Sequence, residues 1–468
     1  MGNRVRNTAE TRPARAGLAV FYNPYEAGGD NARAVLEESV AFLSLARFTT
    51  ISAPVLVHDI DTARQAATYF REQGIKTIIV HLATWTGDDL LMELVSWLGP
   101  AHLLLWALRD MNSGSLCGCQ QFNMVLHELD LSPSDIVIGR DAAAINRFNE
   151  LVSWCNSTAI RTPPRARNSV DEIVHATVDE LQRVRVGIIG ARTPGMMEVS
   201  FDEFGIKASI GPVVCSIPVC TLERKASDLS RAAVEAAIGR FKEKFYGASI
   251  NAAAAEVEVS IRNYLALKEL AREHHLDAIT IDCYPGYMGR TCVAFSMLAD
   301  EGIACACEAD VHAAIVLWLV QRLSKQPANH IDTLDADLEG NTMTGGHCGS
   351  CSTTLAPPGQ VAIAPVRLAN EGACVVFPQK AGPVTLVNLV GRTSTFRACV
   401  LTGTAIDGGL TFPGNPVTIK LDARVDVVLA TIASRGLGHH WIVGQGTHYA
   451  PVLQNLFQTL GVKVISVS

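Results

Sequence analysis

Carboxylates and imidazoles occur at places in this chain where strands are predicted to end. Glu308 and Asp310 follow the apolar run Ile303–Cys307 and stand at the start of a predicted helix. Ligands bind at the carboxyl ends of parallel strands, and the positive end of a helix favours an ionised carboxylate. The pair therefore predicts a metal or substrate site, although an isolated acid at a helix start, such as Asp310, more often serves only as an N-cap.

Three histidines occur in glycine-rich segments further along the chain. His347 lies within the run GGHCG, and His439 and His440 end the run GLGHH, after a predicted strand at Val427–Ile432. A single histidine is more often a hydrogen-bonded core residue. For two adjacent histidines in a glycine turn, a ligand role and a core role are about equally expected. Carboxylates combined with imidazoles favour Mn²⁺, Co²⁺ or a similar cation over zinc or calcium.

Several other functions are disfavoured by the sequence. No GxGxxG or GxxxxGK[ST] motif occurs, so there is no sign of a dinucleotide or nucleotide site. The net charge of −7 argues against nucleic acid or anionic membranes as partners, and the longest apolar run is too short to span a membrane. The N-terminus is a poor signal peptide, and thirteen scattered cysteines favour reduced thiols. We therefore expect a cytoplasmic enzyme.

Short strands alternate with amphipathic helices up to about Asp337, and after that residue the helical periodicity of the sequence largely disappears. Buried strands separated by helices predict parallel βαβ units, whereas the later Val-, Thr-, Gly- and Pro-rich runs predict antiparallel strands. The predicted fold is α/β, with two Rossmann-like parallel-sheet domains and a C-terminal β-rich, barrel-like domain. The predicted domains are 16–165, 166–340, which carries the metal carboxylate, and 341–468, with the first break near the run TPPRAR.

The chain resembles the L-fucose isomerase/L-arabinose isomerase superfamily, in order, over residues 16–468. The segments that carry the resemblance are CEADV at 307–311, the run 341–349 that ends in HCG, GLGHH at 436–440, LWA at 105–107, SLCG at 115–118, PGMM at 194–197 and FDE at 201–203. The resemblance implies the same three-domain fold. It also implies a homotrimer or homohexamer with the active site at a subunit contact.

The resemblance further implies a divalent cation, most simply Mn²⁺ with Co²⁺ or Mg²⁺ as alternatives. Asp310, His347 and His440 match the family's metal ligands, and His439 would neighbour them in the pocket. One departure concerns the family's first metal-binding acid, expected about 25 residues before Asp310, because Gly286 occupies the region where that acid is sought. Asp282 is the nearest substitute.

The predicted catalytic residues are accordingly Asp310, Asp282 and His439. The predicted pocket lining consists of Trp106, Cys117, Cys283 and Glu308.

The leading hypothesis is a metal-dependent isomerase that interconverts an open-chain aldose, or a modified sugar, and its ketose through an enediolate. Moving a proton between C1 and C2 needs two well-placed groups, so the departure at Gly286 bears on the reaction more than on the fold. One alternative is related enediolate chemistry, such as carbon–carbon bond cleavage, on the same fold. Another is a sugar-binding protein without catalysis.

Overall fold

A computed structural model describes residues 14–109, 113–129, 131, 136–160, 171–367 and 370–467. The chain divides into two units, residues 1–164 and 165–468. The predicted break at residues 161–167 lies outside the described residues. None of the described helices is long and apolar enough to cross a bilayer.

The N-terminal unit is built on a five-stranded sheet in the order β2-β1-β3-β4-β5, in which every pair is parallel. Every residue of the central strands β3 and β4 is buried, as expected of strands covered on both faces. The strands are β1 (Arg15–Phe21), β2 (Thr49–Ser52), β3 (Thr77–Leu82), β4 (His102–Ala107) and β5 (Ile136–Ile138). The helices are α1 (Ala32–Leu43), α2 (Ile60–Glu72), α3 (Asp88–Leu98), α4 (Ser115–Glu128) and α5 (Ala142–Ser157).

The second unit opens with a four-stranded parallel sheet in the order β10-β9-β6-β7. Its strands are β6 (Arg185–Ile189), β7 (Val213–Ile217), β9 (Ala278–Ile281) and β10 (Ala304–Ala306), and β8 (Ser249–Ile250) pairs elsewhere. The helices are α6 (Glu172–Leu181), α7 (Glu203–Gly205), α8 (Val219–Asp228), α9 (Arg231–Lys244), α10 (Ala254–Glu273), α11 (Cys292–Asp300) and α12 (Val311–Ser324). A 3-10 turn at Met197–Val199 follows β6.

A six-stranded antiparallel barrel follows in the order β15-β18-β11-β12-β17-β16, and the pairing of β15 with β16 closes it. The strand β19 adds to β16 in parallel, and β14, β13 and β8 form a small separate sheet. The strands are β11 (Ala328–Asp337), β12 (Thr342–Gly346), β13 (Ala362–Val366), β14 (Glu371–Val376), β15 (Gly382–Val390), β16 (Arg397–Ile406), β17 (Val417–Leu421), β18 (His440–Gln445) and β19 (Lys463–Ile465). The helices are α13 (Val425–Arg435) and α14 (Ala450–Thr459).

The architecture confirms the predicted fold class of parallel-sheet α/β layers followed by an antiparallel barrel. The barrel takes its first strand, β11, from chain that precedes residue 341. The division into three domains at the predicted boundaries stays a prediction.

One predicted element is wrong. The segment Val427–Ile432 is helical and lies within α13, although its run of β-branched residues resembles a strand. Val425 and Val428 are the buried positions of this helix, at a helical spacing of three, and Gly436 ends it in the left-handed conformation.

The helix α12 joins the two parts of the second unit. Ten of its fourteen residues are buried, because it packs against β9, β11, β15 and β18. A helix that is apolar on most of its surface must be buried in this way. It therefore holds the carboxyl end of β10, where α12 begins, close to the outer face of the barrel.

Candidate metal centre

The carboxylates Glu308 and Asp310 stand in the turn between β10 and α12. Glu308 and Ala309 both adopt left-handed backbone conformations, with φ of 63° and 55°. Such conformations are unfavourable for residues other than glycine, and they concentrate at functional sites. Asp310 is the N-cap of α12, since its Oδ1 accepts a hydrogen bond of 2.9 Å from the backbone N–H of Ala313.

His440, the first residue of β18, lies between these two carboxylates. Its Nδ1 is 2.7 Å from Asp310 Oδ2, and its Nε2 is 2.9 Å from Glu308 Oε2. The same Nε2 is 3.4 Å from Oδ1 of Asp332, a residue of β11. The imidazole is buried, as are Glu308 and Asp310. Three carboxylates from two chain segments therefore meet around one ring.

The register of the barrel strands explains this meeting. Asp332 pairs directly with His440 on one side and with Gly346 on the other, so that His347 follows beside it. Ile331 and Trp441 point into the barrel core. Because neighbouring residues of a strand face opposite sides, Asp332 and His440 lie on the outer face of the barrel.

His330 and His347 complete a second, overlapping group. The ring of His330 lies 4.9 Å from that of His347 and 4.5 Å from that of His440. His347 Nε2 is 3.9 Å from Asp332 Oδ1. The backbone N–H of Cys307 donates to His330 Nδ1 over 3.3 Å, which fixes that ring from the α/β side.

Two sets of side chains among the described residues could hold a metal ion. One set is His330, His347 and His440, and the other is Glu308, Asp332, His439 and His440. Within each set the ligand atoms lie within 4.8 Å of one another. His330 Nε2, His347 Nε2 and Asp332 Oδ1 are buried without a hydrogen-bond partner in the described structure, although buried polar atoms usually have one. Nitrogen and oxygen atoms that converge in this way without hydrogen-bond partners can serve as ligands of a cation.

The electrostatics of the cluster depend on His440. Burial is the largest single influence and raises the pKa values of Glu308 and Asp310, but the hydrogen bonds to His440 and the charges of the neighbouring histidines together outweigh it and hold both pKa values below their usual range. Burial likewise lowers the pKa of His440, yet the two carboxylates raise it to about 10. Without a cation, the protonated imidazole therefore supplies the positive charge that the carboxylates require.

His439 lies at the more exposed side of the cluster. Its side chain is 40% exposed, and its Nε2 is 3.8 Å from Asp332 Oδ1. Its Nδ1 is 2.8 Å from Oε2 of Glu198, a residue of the 3-10 turn after β6. The predicted catalytic histidine thus stands beside the metal-capable group and is held by a carboxylate that the sequence did not indicate.

The predicted residues Asp282 and Cys283 follow β9. Asp282 Oδ1 accepts a hydrogen bond of 3.1 Å from Thr193 Oγ1, and Asp282 is in neither metal-capable set of the described residues. Cys283 is buried, and its Sγ accepts the backbone N–H of Glu308 over 3.3 Å, so this thiol adjoins the cluster. Gly286 has open space where a side chain would begin.

Trp106 and Cys117 belong to the N-terminal unit. Trp106 is fully buried in the core of that unit, where its ring stacks on His81 at 3.9 Å and its Nε1 donates to Gly139 O over 2.8 Å. Cys117 is exposed in the first turn of α4. The assignment of both residues to the pocket lining stays a prediction.

Sequence reasoning missed His330, Asp332 and Glu198. The first two residues are spaced by two in a β-strand, so both face the same side, and that alternation was the available signal. Glu308 and Asp332 lie 24 residues apart, which is close to the spacing that was sought between Asp310 and an earlier acid. No local pattern singles out Glu198.

No family model matches this sequence. Similar proteins are nevertheless known. A sulfoquinovose isomerase of Alkalicoccus urumqiensis is 26% identical over 273 residues, which cover 57% of this chain and 61% of that enzyme. A sulfoquinovose isomerase of Priestia aryabhattai is 23% identical over 411 residues, or 85% of this chain and 87% of that enzyme.

A sulfoquinovose isomerase of Clostridium sp. (strain MSTE9) is 30% identical over 205 residues, which cover 42% of this chain and 45% of that enzyme. The chain thus spans less than two thirds of the length of two of these three relatives. All three are isomerases by name, which supports the prediction that this chain is an isomerase.

Proposed function

We propose that this protein is a metal-dependent isomerase of the L-fucose isomerase/L-arabinose isomerase superfamily, which interconverts an open-chain sugar aldose and its ketose through an enediolate. The observation that carries the proposal is the convergence of Glu308, Asp332 and His440, with unsatisfied imidazole nitrogens beside them. The isomerase names of the relatives support the reaction class.

In this proposal the cation is held by Glu308, Asp332 and His440, which belong to one metal-capable set, and by His347, which belongs to the other. Two carboxylates and two imidazoles suit Mn²⁺ first, with Co²⁺ or Mg²⁺ as alternatives. When bound, a divalent cation supplies positive charge that polarises a sugar carbonyl and stabilises the charge that develops on it. His347 Nδ1 lies 2.9 Å from the backbone N–H of Cys348. Ligation through Nε2 would require the proton on Nδ1, the nitrogen to which the Cys348 N–H donates here.

Asp310 has a different part in this proposal from the ligand role that the resemblance implies. Both of its oxygens are engaged, one by the helix N-terminus and the other by His440 Nδ1. A carboxylate that accepts the Nδ1–H of a ligating histidine fixes the tautomer and leaves Nε2 free for the metal. We therefore assign Asp310 to the orientation of His440.

His439 takes the proton from C2 of the aldose and returns it to C1, and the hydroxyl proton that O2 gives up is balanced by the one that O1 gains. Of the three predicted catalytic residues, Asp310 is buried with both oxygens occupied, and Asp282 is in neither metal-capable set of the described residues. His439 is 40% exposed and sits beside Asp332, where a bound sugar can reach its Nε2. A general base must lie within hydrogen-bond reach of the proton that it takes.

The relatives make sulfoquinovose the first substrate to examine, because all three carry that sugar in their names. L-Fucose and L-arabinose are the matched comparison substrates. The proposal also includes the three predicted domains, a homotrimer or homohexamer, and a cytoplasmic location.

The test measures sugar turnover in D₂O by NMR with protein loaded with Mn²⁺. We expect aldose and ketose to interconvert, with solvent deuterium entering at the carbon that exchanges its proton. The carbon chain should keep its length. Shorter products would favour carbon–carbon bond cleavage instead. Binding without exchange at any carbon would favour a non-catalytic sugar-binding protein.

Metal analysis of variants tests the site itself. Asp332→Asn and His347→Ala are expected to lose the cation on dialysis, whereas His448→Ala, a change at an exposed histidine of the same unit, is expected to keep it. Wild-type metal content in both site variants would refute the assignment.

A further inference from the structure

We propose that Glu198 is a positioning residue, which fixes the ring orientation and the tautomer of His439 for proton transfer. The inference rests on the proposed isomerase function, because it assigns a partner to the residue that moves the proton. Glu198 itself touches neither a sugar nor a cation in this proposal. It acts through His439.

The carboxylate of Glu198 contacts His439 at two points. Its Oε2 lies 2.8 Å from the ring Nδ1, and its Oε1 accepts the backbone N–H of His439 over 2.9 Å. The two residues are 241 positions apart in the chain. A contact with both backbone and ring sets the position of the residue as well as the rotation of its imidazole. This matters because the His439 side chain is 40% exposed.

The glycine before His439 leaves the space that this contact needs. A Cβ atom at Gly438 would lie 2.0 Å from Oε1 of Glu198, which is much closer than any real contact. The backbone here is therefore open to the carboxylate only because residue 438 has no side chain. Gly438 has no positive φ, so the requirement is for space and not for backbone conformation.

The neighbouring histidine shows the same arrangement. His440 Nδ1 is held by Asp310 at 2.7 Å, and His439 Nδ1 is held by Glu198 at 2.8 Å. In each case Nε2 faces Asp332 Oδ1, at 3.4 Å for His440 and 3.8 Å for His439. In its neutral form, an imidazole that donates Nδ1–H to a carboxylate keeps its lone pair on Nε2. Both adjacent histidines are thus prepared to work through Nε2.

Substitutions at both ends of the contact test the proposal by steady-state kinetics of the Mn²⁺-loaded protein. Glu198→Ala is expected to lower kcat by about 10- to 100-fold, the usual effect of losing such a partner, with KM changed far less. Gly438→Ala is expected to lower kcat similarly, because the new methyl group displaces the carboxylate. The double variant is expected to be no worse than Glu198→Ala, since the group that met the methyl is gone.

The controls are Gly239→Ala and Glu243→Ala on α9. Among the described residues, no atom outside the backbone of α9 itself lies within 4 Å of a Cβ built at Gly239, and Glu243 is exposed. Both controls are expected to keep wild-type kcat. A Glu198→Ala variant with wild-type kcat would overturn the proposal, as would a double variant whose loss is the product of the two single losses.

A spectroscopic measurement decides the proposal even if the isomerase function is wrong. Long-range ¹H–¹⁵N correlations of histidine-labelled protein report the tautomer, and the His439 signals are those lost in His439→Gln. Wild type is expected to show the Nδ1–H tautomer, and Glu198→Ala a mixture. An unchanged tautomer in Glu198→Ala would overturn the role of Glu198. Absence of turnover by wild type, together with the expected tautomer change, would refute the isomerase function alone.

Discussion

Substitution of His440 by alanine should destabilise the metal-free protein strongly. The ring is the hydrogen-bond partner of two buried carboxylates, Asp310 at 2.7 Å and Glu308 at 2.9 Å. These acids are 6% and 7% exposed, so water cannot replace the imidazole. Removing one partner of a buried ion pair costs about 3–5 kcal/mol, because the remaining charge stays buried and uncompensated. We expect His440→Ala to lower the free energy of unfolding of the second unit by about that amount.

The effect should depend on pH with a definite sign. The pKa of His440 is raised to about 10 in the folded protein, whereas an unfolded histidine titrates at about 6.5. A raised pKa contributes stability that is complete below the unfolded value and is lost as pH rises through the folded value. The metal-free wild type should therefore lose stability between about pH 6.5 and 10, and His440→Ala should lack most of that slope.

Below about pH 6.5, the two carboxylates determine how stability depends on pH. The pKa values of Glu308 and Asp310 are lowered in the folded protein, so their contribution is present above the unfolded pKa values, about 4, and is lost as pH falls further. A cation bound through His440 Nε2 replaces a proton there. Metal affinity should consequently rise with pH across the same window in which the metal-free protein weakens, by up to about tenfold per pH unit.

The assay is denaturant unfolding of chelator-treated protein from pH 5.5 to 9.5, followed by circular dichroism, with His448→Ala as the exposed-histidine control. That control should match wild type at every pH. A His440→Ala protein within about 1 kcal/mol of wild type at pH 6.5 would refute the reasoning. A wild type that gains stability as pH rises from 6.5 would refute it as well.

Three further predictions concern the cation and the packing. Removing Mn²⁺ by chelation should lower the apparent unfolding free energy by about 2.7 kcal/mol relative to protein at a hundredfold excess over its Kd, measured by thermal unfolding, and no difference would contradict a bound cation. Glu308→Gln should weaken Mn²⁺ binding, measured by calorimetry, by more than the about 10- to 100-fold that follows loss of an outer-shell partner. Gly444→Ala places a methyl carbon 2.3 Å from Tyr449 Oη and from Val320 Cγ1. This change should lower the free energy of unfolding, measured with denaturant, by about 1–3 kcal/mol. Gly239→Ala, in an open helix position, should instead raise it by about 0.5–1 kcal/mol. Equal stabilities of the two glycine variants would show that the packing argument is wrong.

The sequence by itself determined the layers of the fold. The strand Thr77–Leu82 and the helix that begins at Val311 follow from short-range patterns, namely a buried apolar run and an apolar run after an N-cap. The same kind of local evidence failed at Val427–Ile432. A short apolar, β-branched run does not distinguish a strand from a helix, and α13 is settled by packing of its buried face.

The sequence also indicated candidate site residues, since Glu308, Asp310, His347, His439 and His440 stand in glycine turns or at strand ends. Their partners were decided only by tertiary structure. Asp332 enters the cluster because barrel register sets it opposite His440, and Glu198 enters because Gly438 leaves space for it. Whether a carboxylate binds a cation or orients a histidine depends on which atoms meet its oxygens. Those atoms come from chain segments more than a hundred residues away, which no local pattern encodes.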